Sequence, residues 1–218
     1  HSVAATGFDA APMNASQVPT IGKRIFVLLV LLEFEVRCLS GENELQLRHF
    51  VDAASCQEAV GLKSLLAMSK IAGSTSSRRL AIHCLQRYLR AFIGARGGVD
   101  YWQCAAAYRE MIGLHASRNE SFAVYEGILH FLSGGGSGGP SGKEGVAGSA
   151  QLYPPEEVAW LVATAWNNGV HFYRLQQHTW SERWMGKSLA LAKFCDADTF
   201  RHETMMESYA ECLKRCGE

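Results

Sequence analysis

Tyr153–Cys195, YPPEEVAWLVATAWNNGVHFYRLQQHTWSERWMGKSLALAKFC, is the stretch whose reading decides the fold. Pro154-Pro155-Glu156-Glu157 is a helix start, because proline fits the first turn and carboxylates favour the positive end of the helix dipole. Leu161, Ala165, Asn168, Phe172 and Leu175 then recur at spacings of 4, 3, 4 and 3, one face of a helix. Gln176-Gln177-His178-Thr179 interrupts that face, and a second helix runs from Trp180 through Met185, Leu189 and Ala192. Gly169 in the first helix and Ser181 and Ser188 in the second are small residues.

The offsets among Gly169, Phe172, Ser181, Met185 and Ser188 resemble a tetratricopeptide repeat, with its small residues once in the first helix and twice in the second. In that reading Phe172 and Met185 are large packing positions and a bulky residue at a crossing would force the helices apart. A generic helical hairpin is the alternative.

The rest of the chain reads as helix punctuated by short polar connectors. The expected helices are Gly22–Leu39, Glu42–Ala54, a third running to Ala72, Ser77–Ile93, one after Asp100 that carries Tyr101, Ala105, Tyr108, Ile112 and His115, then Asn119–Leu132, and a last one near Ala197–Cys216. Ser55 with Glu58 three residues on is a capping-box pattern for the third. Ile25–Leu32 is a run of eight apolar residues, too short to span a membrane, and is expected to be a helix buried on most sides. No alternating pattern calls for a sheet, so the expected class is all-α, antiparallel hairpins stacked as a tetratricopeptide-like solenoid. The expected organisation is a flexible leader at 1–20, N-terminal hairpins over 21–133, a Gly/Ser-rich linker at 134–151, and a C-terminal hairpin plus capping helix over 152–218.

Composition narrows function further. The 218 residues carry 21 basic and 21 acidic side chains, so no net charge draws the chain to nucleic acid. Seven cysteines at irregular spacing fit reduced thiols better than a disulfide framework. Gly134, Gly136 and Gly139 match a dinucleotide fingerprint, and Gly135–Gly139 a nucleophile elbow. Both need a preceding strand, and a helix precedes here. Cys195, His202, Cys212 and Cys216 are the one set of possible metal ligands, yet their spacing is unlike zinc modules. Glu156 and Glu157 are adjacent, so a helix points them apart and they cannot act as an acid–base pair. The expectation is no catalytic, cofactor or metal residue, and no small-molecule substrate.

From Ala59 to Val99 there are seven basic residues and no acidic one. Arg79, His83, Arg87 and Arg90, at spacings of 4, 4 and 3, form a positive stripe along one helix. Its plain reading is a solvated face; its functional reading is a dock for an acidic partner helix or a nucleic-acid backbone, with the protein partner favoured because aromatic residues for base stacking are not interleaved.

The hairpin also carries a family likeness. Pro155-Glu156-Glu157-Val158, Trp160-Leu161, Thr164-Ala165-Trp166-Asn167, Gly169-Val170-His171, Tyr173, Glu182-Arg183-Trp184-Met185 and Ser188-Leu189-Ala190-Leu191 together resemble the SPO22/ZIP4-like family of meiotic proteins. The Trp-Asn-x-Gly run and the Glu-Arg-Trp-Met run are its most specific parts. The likeness covers about a fifth of the chain. It implies a non-enzymatic scaffold on meiotic chromosomes in the nucleus, joining crossover and synapsis factors to the chromosome axis, with protein partners and no membrane or sequence-specific nucleic acid. A general adaptor that holds a short peptide, such as a chaperone tail, is the alternative for the same repeat.

Overall fold

The computed structural model describes residues 18–75, 77–94, 100–133, 153–196 and 202–216. Among these, every regular element is a helix: α1 Val18–Leu39, α2 Glu44–Ser55, α3 Leu62–Ser74, α4 Arg78–Gly94, α5 Tyr101–Leu114, α6 Arg118–Leu132, α7 Pro155–Arg174, α8 His178–Ala192 and α9 His202–Cys216. The chain is therefore all-α over the described residues. The glycine-rich linker and its motif matches, and the leader up to residue 17, lie outside them; Val18–Thr20, assigned to the leader from sequence, is the first turn of α1.

Helix ends follow side-chain chemistry. Asn43 Oδ1 accepts from the Leu45 amide at 2.8 Å, Asp100 from Trp102 and Gln103, and Ser117 Oγ from Glu120, so three helices begin on a polar cap. Ser55 is different from expectation. It is the last residue of α2, where its hydroxyl donates to the Asp52 carbonyl at 2.7 Å, and α3 starts seven residues later behind Gly61 with no side-chain cap. The hydroxyl turns back to a helix carbonyl instead of forward to an amide, as serine does near a helix end.

The chain divides into two units, His1–Arg87 and Tyr88–Glu218. In the first, α1 packs on α2 and α3. Phe34 is fully buried and stacks on Phe50, with centroids 5.9 Å apart. Val51, Leu65, Met68 and Ala72 complete the core. The outer side of α1 overturns the expectation of burial all round: Ile25, Phe26, Leu28, Leu29, Leu32, Val36 and Leu39 are exposed, Leu29 by 60% and Leu39 by 70%. A run apolar on every side supplies more greasy surface than α2 and α3 can cover.

In the second unit, α5 pairs with α6, α7 with α8, and α8 also packs on α6 and α9. Trp184 is fully buried at the centre, edge-on to Phe122 and Tyr125 at 5.0 Å each. Tyr153, just before α7, is buried edge-on to Phe131 of α6. The turn between α7 and α8 is Leu175–Gln177, with Gln176 at φ 59°, and His178 and Thr179 belong to the first turn of α8 rather than to the loop.

Candidate functional site

In the second unit, α7 and α8 cross closely at Gly169. Gly169 sits where an added Cβ would lie 2.5 Å from Met185 Cγ, 3.1 Å from the Met185 amide nitrogen and 3.3 Å from the Ser181 carbonyl oxygen. Hydrogen alone fits there. Ser181 Oγ donates to the Gly169 carbonyl at 2.9 Å, and Ser188 Oγ donates to the Val162 carbonyl at 2.8 Å. Position falls along α7 as it rises along α8, so the helices are antiparallel. Met185 is buried over Gly169, and Phe172 is buried against Trp180, with ring centroids 6.1 Å apart. The five residues with repeat spacing thus sit together in one interface. Cys212 of α9 reaches the same point, its Sγ 3.3 Å from Ser181 Oγ, and joins the third helix to the crossing.

The positive stripe on α4 is divided in use. His83 Nε2 lies 2.7 Å and Arg87 Nε 2.5 Å from Asp52 Oδ1 on α2. Both are largely covered, and Asp52 is held below the usual carboxylate range, first by the Arg87 hydrogen bond and then by His83, against the opposing effect of burial. Arg79 and Arg90 are exposed. Two of the four residues therefore tie α4 to α2, and two face solvent.

A second polar link joins α5 to α7. Arg109 donates from Nε and Nη2 to Glu157 Oε2 at 3.0 and 2.9 Å, while its guanidinium lies 4.0 Å above the Trp160 ring. Glu157 does more than favour the helix start, and Glu156 beside it is exposed. Asn168 is buried, its Oδ1 accepting from Arg118 Nε at 2.8 Å, and Phe172 is buried as well.

Concavity is modest. A cleft of about 440 Å³ in the second unit is lined by Val170, Tyr173, Met185, Glu207, Ser208 and Glu211. Another of about 430 Å³ in the first unit is lined by Thr20, Lys23, Arg24, Val27, Leu28 and Ala59. In the first of these clefts, Ser208 donates its hydroxyl to the Thr204 carbonyl at 2.9 Å. Among the described residues no three His, Cys, Asp or Glu side chains converge as metal ligands. Of the sequence candidates, Cys195 and Cys212 have described side chains, and Cys212 is buried against Ser181. Burial pushes the Cys84 and Cys104 thiols up to about 12, which leaves them protonated and inert near neutrality. No described helix is long and apolar enough to cross a membrane.

Sequence reasoning missed Asp52 and Arg109, because each finds its partner more than thirty residues away and no local spacing announces that. It also missed the open side of α1, for which a signal existed in the 4, 3, 4, 3 spacing of Ile25, Leu29, Leu32, Val36 and Leu39. Compared with family models, with curated proteins and with solved structures, the chain finds no match.

Proposed function

We propose that this chain is a non-enzymatic scaffold of meiotic chromosomes, built from antiparallel helical hairpins stacked in the manner of tetratricopeptide repeats. In this reading it works in the nucleus, where it connects crossover-promoting and synapsis factors to the chromosome axis through protein–protein contacts. The observation that carries the proposal is the α7–α8 crossing. The Trp-Asn-x-Gly and Glu-Arg-Trp-Met runs that resemble the meiotic family supply its critical parts: Gly169 at the contact, Met185 over it and Trp184 in the core beneath. The packing of α8 on both α6 and α9 supports stacking of successive hairpins. The exposed Arg79 and Arg90 are the positions of the α4 stripe best placed to meet an acidic partner.

The test is affinity recovery of partners from meiotic cells, with somatic cells as control. Crossover and axis proteins should be recovered from the first and not the second. Arg79→Glu with Arg90→Glu should lower that recovery while His83 and Arg87 keep α4 in place. Equal recovery from both cell types, or constitutive cytosolic expression, overturns the reading.

The second-unit cleft favours one alternative, an adaptor for a short peptide. Its lining of Val170, Tyr173 and Met185 with Glu207 and Glu211, the latter also paired with Lys214 and Arg215, suits a segment that carries a basic residue beside an apolar one. Binding of a basic peptide that is lost in Glu207→Lys with Glu211→Lys supports this reading.

A further inference from the structure

We propose that α1 pairs with α1 of a second copy of the chain, in antiparallel orientation, through its outer face. This goes beyond the scaffold reading and does not depend on it. Along α1, Gly22, Leu29 and Val36 recur every seven residues, and so do Ile25, Leu32 and Leu39. The two sets interleave as the seam positions of a two-stranded coiled coil. The other side of the same helix, with buried Phe34 and half-buried Val27, Val30, Leu31 and Cys38, already packs within the unit. The seam is thus separate from the core, and five of its six residues are large, apolar and exposed.

The extent of the face is that of an interface. Counting Ile21, Phe26 and Leu28, eight large apolar side chains of α1 are exposed, and at roughly 100 Å² apiece they amount to the order of 800 Å², which one partner brings to a standard interface. Scattered exposed leucines need no explanation, but a contiguous patch of this size does.

Charge sets the orientation and the occupant. Arg24 lies toward one end of α1 and Glu35 toward the other, while Lys23 and Glu33 are already paired with Glu58 and Arg37. An antiparallel pair, with Leu29 beside Leu32 of the second copy and Ile25 beside its Val36, places Arg24 of each copy on the flank that carries Glu35 of the other. A parallel pair sets like charge beside like and aligns the two helix dipoles. The ion pairs that α1 makes among the described residues involve Lys23, Glu33 and Arg37, not Arg24 or Glu35. Gly22, with nothing within 4 Å of an added Cβ, leaves room beside it for Leu39 of that copy. A membrane surface fits less well, because the flanking carboxylates oppose anionic headgroups and the face behind the seam is core rather than a charged side.

Sedimentation equilibrium of the whole chain tests this. The expected result is a monomer–dimer equilibrium. Leu29→Glu with Leu32→Glu should weaken it more than tenfold with helicity unchanged, since both residues are outside the unit's core. Arg24→Glu alone should weaken it roughly tenfold, because the change acts twice across the symmetry axis. Arg24→Glu with Glu35→Arg in the same chain should restore it. Ile25→Cys chains mixed with Val36→Cys chains should cross-link to each other, and neither should cross-link through that position alone. A monomer at all concentrations overturns the proposal. So does a dimer that Leu29→Glu with Leu32→Glu leaves intact, or a monomer that instead binds phosphatidylcholine–phosphatidylserine vesicles through α1.

Discussion

The α7–α8 hairpin and α1 are both rich in apolar residues, and they end in opposite states. In the hairpin, small residues fall at the crossings, so two helices close on each other and little apolar surface is left over; Trp184, Met185 and Leu191 are buried, and two serine hydroxyls satisfy themselves on main-chain carbonyls. In α1 the apolar side chains are large at every level and stand on both sides of the helix. One side is filled by Phe34 and its neighbours, and the other faces outward. Hydrophobicity alone thus does not decide burial. The arrangement of small and large residues decides whether a second helix within the unit can reach the surface that hydrophobicity offers.

The contrast can be broken most severely at Gly169. Gly169→Leu should cost about 3 kcal/mol, because the new Cβ would lie 2.5 Å from Met185 Cγ and crowd the Met185 amide nitrogen at 3.1 Å, and the hairpin should lose its cooperative melt. Circular dichroism on heating reads this directly; an unchanged melting temperature would refute close packing as the reason for glycine. A pair of neighbouring substitutions on α1 sharpens the other half. Phe34→Ala, on the filled side, should cost about 3 kcal/mol. Leu32→Ala, two residues away and 57% exposed, should change the stability of the dilute chain by no more than about 0.5 kcal/mol. Equal losses in chemical denaturation would erase the distinction between the two faces.

The smallest effect is electrostatic. Asp52 has its carboxyl pKa lowered in the folded chain, so its contribution is fully present above the unfolded value and disappears as pH falls through the folded one. Stability of the first unit should therefore decline below pH about 4, by less than about 1 kcal/mol for this partly exposed cluster. Comparison of melts for the native chain and Asp52→Asn at pH 7 and pH 3 isolates it: the difference between the two proteins should shrink in acid.

Much of this was legible in the amino-acid order. The all-helical class, the capping role of Asp100 and the clustering of Gly169, Phe172, Ser181, Met185 and Ser188 all follow from spacings of three, four and seven, which a helix turns directly into shared faces. What was not legible is tertiary. Ile25–Leu32 looks like a core helix because a sequence records how apolar a segment is, not how many neighbours will arrive. His83 and Arg87 look like free charges because Asp52 lies on another helix, more than thirty residues back. Ser55 and Glu58 form a plausible capping box until the α2 end, where the hydroxyl is already occupied, is seen to precede α3 by a full loop.

The two hydroxyls of α8 have a mechanical consequence. Ser181 and Ser188 grip α7 seven residues apart, at Gly169 and Val162. A slip of one helical turn, about 5.4 Å, breaks both grips at once and carries Gly169 away from the only place where its missing side chain is useful. The hairpin is a ratchet with a single notch: neither helix can slide along the other until both serine bonds have broken.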